Sequence, residues 1–156
     1  MNLENYYTLI NELKPYGAQL VAVSKTKPVE DIRALYDAGQ RIFGENKVQE
    51  MVDKQAQLPA DIAWHLIGHL QTNKVKYIAP FVQLIHSVDS LKLLSEINKQ
   101  AQKNNRSINC LLQIFIADEE TKFGLDEAEL QALLSSAEFK QLKHIQIQGL
   151  MGMATN

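Results

Sequence analysis

Six short apolar runs alternate with segments of helical periodicity along the chain, and this alternation limits the possible folds more than any other feature. The runs are LVAV (20–23), RIF (41–43), IAWHLIG (62–68), FVQLIH (81–86), the segment 108–116 centred on CLLQIFI, and HIQIQGLM (144–151). Short continuous apolar runs bounded by breakers suit strands buried on both faces. The first is preceded by Leu3, Ile10 and Leu13 at helical spacing, which predicts a helix over 3–13. Between the first two runs, Val29, Ile32 and Leu35 recur at helical spacing. Pro28 suits a first helical position, Glu30 and Asp31 favour the amino end, and Gly39 is a stop signal. Asn46 with Gln49, and Asp126 with Glu129, have the spacing of capping boxes.

Strands alternating with helices imply a parallel sheet joined by right-handed crossovers. Two architectures meet this: a doubly wound open sheet, or part of a (β/α)8 barrel. No glycine-rich turn follows the first strand, as a dinucleotide-binding fold would want. Polar residues fit for chemistry fall just after most strands: Lys25, Glu45 and Asn46, His69, His86 and Ser87, and Lys122. In a barrel these strand ends converge on the face where active sites sit. Both features favour the barrel, of which about six of eight units would be present. With no internal repeat and no Pro/Gly/Ser-rich linker, residues 1–156 read as one partial domain.

At 46% hydrophobic and 22% charged residues, the composition is that of a soluble globular chain. A formal net charge of -2 gives no global electrostatic case for nucleic acid. The single cysteine, Cys110, lies in an apolar run and predicts a buried thiol in a reducing compartment. The amino terminus lacks the basic flank of a signal peptide, and no apolar run is long enough to span a membrane, so the expected location is cytoplasmic. The 4 histidines lack paired carboxylate or cysteine spacing, so no metal site is expected.

Lys25 stands where the first apolar run leaves the core. A primary amine partly desolvated at such a rim is a nucleophile toward carbonyls; a solvated strand-end lysine is the commoner reading of that stretch alone. Lys27, two residues on, would point the same way if the chain stayed extended.

Several segments together carry a more specific message: AVSKTKP (22–28), FGENKVQE (43–50), WHLIGHLQTNK (64–74), HSVD (86–89) and GLMGMAT (149–155). In this order and spacing the chain resembles the pyridoxal-phosphate homeostasis proteins, the YggS or PROSC family, relatives of the alanine racemase amino-terminal domain. The resemblance implies a TIM barrel of the alanine racemase amino-terminal type. It also implies pyridoxal 5′-phosphate held as a Schiff base on Lys25 without substrate turnover. Asn46 would hydrogen-bond the cofactor ring or merely cap its helix. His65 would form a wall beneath the ring or be a satisfied core histidine, and Met151 would lie against the ring or simply pack. For His69 and His86 a structural role is the more ordinary one.

Members of that family usually continue for two more barrel units after GLMGMAT. The resemblance places there a serine- and glycine-rich segment and a G-S-T-x-V-R-I-G-like motif that hold the phosphate and face the pyridine nitrogen. Neither occurs in these 156 residues. The chain thus reads as a fragment with weak cofactor retention, prone to self-association through open barrel edges, where the family is expected to be monomeric. The function implied is a carrier that buffers the cofactor and delivers it to apo-enzymes. Two enzyme readings stand beside it. A racemase needs an acid or base on each face of the substrate, and by resemblance one of these comes from a second domain. A Schiff-base aldolase needs a base beside the lysine, and Glu45 is the candidate, although a structural ion pair is its more ordinary role.

Overall fold

The computed structural model describes residues 2–116 and 123–154. Helix α1 (Leu3–Leu13), capped by Asn2, leads through a short 3-10 turn to strand β1 (Ala22–Val23). There follow α2 (Val29–Asp37), β2 (Ile42–Glu45), α3 (Val48–Gln55), β3 (Ala63–Leu66), α4 (Val75–Ile78) and β4 (Leu84–Val88). The chain continues with α5 (Leu91–Lys103), β5 (Ile108–Ile114), α6 (Glu127–Ser135), α7 (Ala137–Lys140) and β6 (Ile145–Gly152). All pairings are parallel, and the strand order in space is the order in the chain, β1 to β6. A doubly wound sheet reverses its order at a switch point, whereas a barrel winds one way only. This sheet is an arc of a barrel, with β1 and β6 at its edges.

The core lies between sheet and helices. Phe43, Trp64, Leu66, Ile85, Ile108 and Leu112 from the strands meet Ile32, Met51, Ile78, Leu94 and Ile97 from the helices, all buried. Each such side chain contributes about 1.5–3 kcal/mol by leaving water. Strand alternation sends Gly44, His65, His86 and Gln113 to the other face of the sheet, the interior of the arc. Cys110 is fully buried on β5, as its apolar run predicts, and burial pushes its thiol up to about 12.

Several local expectations are corrected. Only Ala22 and Val23 of the first run pair as a strand. Gly44 does not break the second strand but sits inside β2, where a Cβ would come within 3.0 Å of both Val21 Cγ1 and Ile67 Cδ1. Because β2 runs on through Glu45, α3 starts late, with Lys47 at its cap position and no side-chain cap. Asn46 is therefore not a helix cap. Pro28 occupies the cap position of α2 rather than its first turn. The Asp126–Glu129 capping box forms in both directions, with hydrogen bonds of 2.8 and 3.1 Å. The short helix α7, capped by Ser136, was not expected from periodicity because four residues carry too little of it. Among the described residues, no helix is long and apolar enough to cross a membrane.

Candidate functional site

Past the carboxyl ends of the strands lies a cleft of about 390 Å3, lined among others by Lys25, Asn46, His69, Gln113, Phe123 and Met151. This is within the range of about 300–1,000 Å3 usual for small-molecule sites. Three of the residues singled out in sequence, Lys25, Asn46 and Met151, thus meet in one cavity from three separate motifs. His65 is not among the lining residues. It lies on β3 two residues before Ile67, which does line the cleft, so alternation puts it one layer deeper on the same face.

A tight turn presents Lys25. The Lys27 amide donates to the Ser24 carbonyl at 3.1 Å, and Thr26 takes the left-handed conformation with φ 63°. The chain is therefore not extended here. Lys27 turns away, into a separate and mainly apolar cavity beside Asp31, Ile32 and Leu35. Lys25 itself is exposed, in keeping with the commoner reading of that stretch, and still lines the cleft.

Beneath this turn lies a set of charges: Glu45 and Glu50 from the FGENKVQE segment, joined by Lys54, which no motif announced. Glu45 is fully buried and accepts from Ser24 Oγ at 2.5 Å and from Lys54 Nζ at 3.0 and 3.1 Å. Lys54, only 6% exposed, also donates to the Ser24 carbonyl at 2.7 Å and to Glu50 at 3.0 Å. Glu50 in turn accepts the Thr26 amide at 2.8 Å. Burial raises the pKa of Glu45, opposed by its bonds from Ser24 and Lys54. Burial acts the same way on Glu50, but Lys54 and the Thr26 amide outweigh it and hold that carboxyl below its usual value. The Glu50–Lys54 spacing on α3 is a legible i,i+4 pair. Its burial against β2 is a property of packing alone. The ion-pair reading of Glu45 holds.

Asn46 is fixed by its backbone. A Cβ on Gly68 would lie 2.5 Å from the Asn46 carbonyl oxygen, so only glycine lets the loop after β3 pass so close. His69 stacks on Phe123, with ring centroids 4.3 Å apart and planes at 13°, forming a flat wall of the cleft. Asn46 and His69 also border an adjoining polar cavity of about 260 Å3 that includes Lys47 and Lys74. Met151 reaches the cleft through a register shift. Ile145 and Ile147 pack on the core, and strict alternation would send Met151 the same way. The irregularity between Cys110 and Leu111 shifts the pairing, so that Met151 comes opposite Gln113, and both face the cleft.

His65 and His86 pair in the interior, Nδ1 to Nε2 at 2.9 Å. Burial, and secondarily His86, lower the pKa of His65 to about 4, and burial lowers that of His86. Ser87 does not join the cleft: it is buried, and its hydroxyl has no hydrogen-bond partner among the described residues. Lys122 lies outside the described residues. Among the described residues no group of three or more His, Cys, Asp or Glu could hold a metal ion.

Comparisons with known proteins agree with the motifs. The family model of the alanine racemase N-terminal domain matches residues 2–156. The chain is 43% identical over 135 residues to the pyridoxal phosphate homeostasis protein of Aquifex aeolicus, covering 86% of this chain and 58% of that one. To the protein of the same name from Escherichia coli K12 it is 41% identical over 143 residues, covering 89% and 60%. This chain therefore spans about 60% of the length of these relatives. PipY of Synechococcus elongatus PCC7942, solved with PLP bound, superposes with a TM-score of 0.86 at 42% identity, covering 97% of this chain and 69% of that one. The alanine racemase of Bartonella henselae shares the fold, with a TM-score of 0.72 at 22% identity over 95% of this chain and 41% of its own. With its parallel arc, its cleft at the strand ends and a match over nearly its whole length, this chain belongs to the alanine racemase N-terminal domain family.

Proposed function

We propose that the chain binds pyridoxal 5′-phosphate covalently through Lys25 and serves as a cofactor carrier in pyridoxal phosphate homeostasis rather than as an enzyme. The observation that carries this is the convergence of Lys25, Asn46 and Met151 on one cleft. The cleft fits a flat aromatic aldehyde: an amine on one side, an amide, two methionines and a stacked His69–Phe123 wall. When bound, the cofactor supplies an aldehyde carbon that a primary amine can capture reversibly. Lys25, exposed at the turn, supplies that amine. Asn46 offers hydrogen bonds to a polar ring substituent, and Met151 packs against a ring face. His65, one layer below, supports the floor through His86. The names and the PLP-bound structure of the relatives support the same reading.

Absence of turnover is part of the proposal. Glu45, the base an aldolase would need, is fully buried and held by Ser24 and Lys54, which leaves it poorly placed to move a substrate proton. The recipients of the cofactor would be apo-enzymes that use it.

The test is incubation with pyridoxal 5′-phosphate, borohydride reduction and peptide mapping, with a parallel turnover assay on L-alanine. Label on Lys25 without turnover is the expected result, and Lys25→Ala should abolish that label. Turnover that disappears in Lys25→Ala would favour an enzyme, and a chain unlabelled at Lys25 would end the carrier reading.

A further inference from the structure

We propose that Lys54 is a positioning residue for Lys25: its buried ammonium ties down both residues that flank Lys25 and so fixes where the reactive amine enters the cleft. The proposal rests on the reading of Lys25 as the attachment residue.

Ser24 and Thr26 are each held, and both ties end on Lys54. On one side, Lys54 Nζ binds the Ser24 carbonyl at 2.7 Å, and the Glu45 carboxylate it also binds takes the Ser24 hydroxyl at 2.5 Å. On the other, Glu50, bound to Lys54 at 3.0 Å, takes the Thr26 amide at 2.8 Å. An ammonium has three protons, and here they are divided among a carbonyl and two carboxylates. Because Lys54 and Glu45 are almost wholly excluded from water, these bonds are little screened and hold their geometry.

The held conformation is not one the segment would choose. Thr26 is β-branched and has φ 63°, a region such residues rarely enter without outside support. Its own hydroxyl only reaches the neighbouring Lys25 carbonyl, at 2.6 Å, whereas its amide is fixed from α3 through Glu50. Without the clamp the turn relaxes toward extended backbone, which swings Lys25 away from Asn46 and toward the side where Lys27 lies. Imine formation needs the neutral amine on the aldehyde carbon: the C–N bond forms, two amine hydrogens leave with the carbonyl oxygen as water, and a C=N bond remains. Misplacing an attacking atom by about 1 Å can lower such a rate on the order of 100-fold.

The experiment compares Lys25 with a distant exposed lysine, Lys99 on α5, within the same molecules. The wild-type chain, Lys54→Met, Lys54→Arg and Glu50→Gln are treated with borohydride and either of two aldehydes, pyridoxal 5′-phosphate or formaldehyde, and the Lys25:Lys99 labelling ratio is read by mass spectrometry. Hydrogen exchange at the Thr26 amide is measured in parallel, and circular dichroism establishes that each variant is folded. The expected result is a ratio on the order of 10-fold lower with pyridoxal 5′-phosphate in Lys54→Met and Glu50→Gln, faster exchange at Thr26, and partial recovery in Lys54→Arg. A general loss of structure would not be repaired by arginine, nor confined to one lysine. If Lys54→Met does not fold, Glu50→Gln decides, since its side chain is partly exposed and it leaves the Lys54–Glu45 pair in place. A folded variant with the wild-type ratio and wild-type exchange would overturn the proposal. Failure of the carrier reading looks different: wild type then shows no preference for Lys25 with pyridoxal 5′-phosphate. In that case the formaldehyde ratio and Thr26 exchange still decide whether Lys54 fixes the turn.

Discussion

His65 Nδ1 and His86 Nε2 lie 2.9 Å apart across β3 and β4, close enough that a single proton must serve both nitrogens. Burial, and then the neighbouring His86, bring His65 from an ordinary 6.5 to about 4, and burial lowers His86 as well. The folded chain therefore refuses protons that the unfolded chain accepts. Stability is fully present above the ordinary value of 6.5 and is lost as pH falls from there toward 4. His65 alone contributes a slope of up to about 1.4 kcal/mol per pH unit in that window. His65→Asn should flatten the fall, as measured by urea unfolding at about pH 7 and about pH 5. An unchanged pH dependence in the variant would refute the assignment.

Gly68 is the spacer that lets Asn46 hold its place. Gly68→Ala puts a Cβ only 2.5 Å from the Asn46 carbonyl oxygen, and backbone rather than a flexible side chain must yield. The expected cost is about 1–3 kcal/mol in stability, together with a shifted Asn46 amide resonance in NMR spectra. A variant with wild-type stability and an unmoved Asn46 signal would show the approach to be slack.

Ser87 carries a buried hydroxyl with no hydrogen-bond partner among the described residues. Ser87→Ala removes an unpaired buried polar group at little loss of volume, and should stabilise the chain by about 1 kcal/mol. A rise in the urea midpoint at constant slope is the measurement, and a fall would show that the hydroxyl has a role.

Cys110 is buried and its thiol is pushed up to about 12, so almost no thiolate exists near neutral pH. A thiol reagent should react only as fast as the chain opens, with a rate that rises steeply through the unfolding transition. Rapid modification of the native chain would contradict the packing of β5.

The order of strands and helices was legible in the sequence because apolar period and turn chemistry are local properties. The helix over 3–13, the Asp126 capping box and the cysteine in its apolar run needed no tertiary information. Motif identity was equally legible, and it brought Lys25, Asn46, His65 and Met151 forward before any cavity was known. The cap assigned to Asn46 failed because strand pairing with β3 carried β2 through Glu45, and pairing is non-local.

What only the tertiary structure decided follows from the same distinction. Spatial strand order chose the barrel arc over a doubly wound sheet. A shift of register between β5 and β6 turned Met151 toward the cleft, against its own alternation, while His65, two residues before Ile67 on β3, stayed a layer beneath. Burial joined Glu45 and Glu50, both within the FGENKVQE motif, to Lys54, which no sequence feature had singled out, and made the three a clamp on the Lys25 turn. Charge takes its meaning from what surrounds it, and the surroundings of these three come from segments up to thirty positions apart that meet only once the sheet is formed.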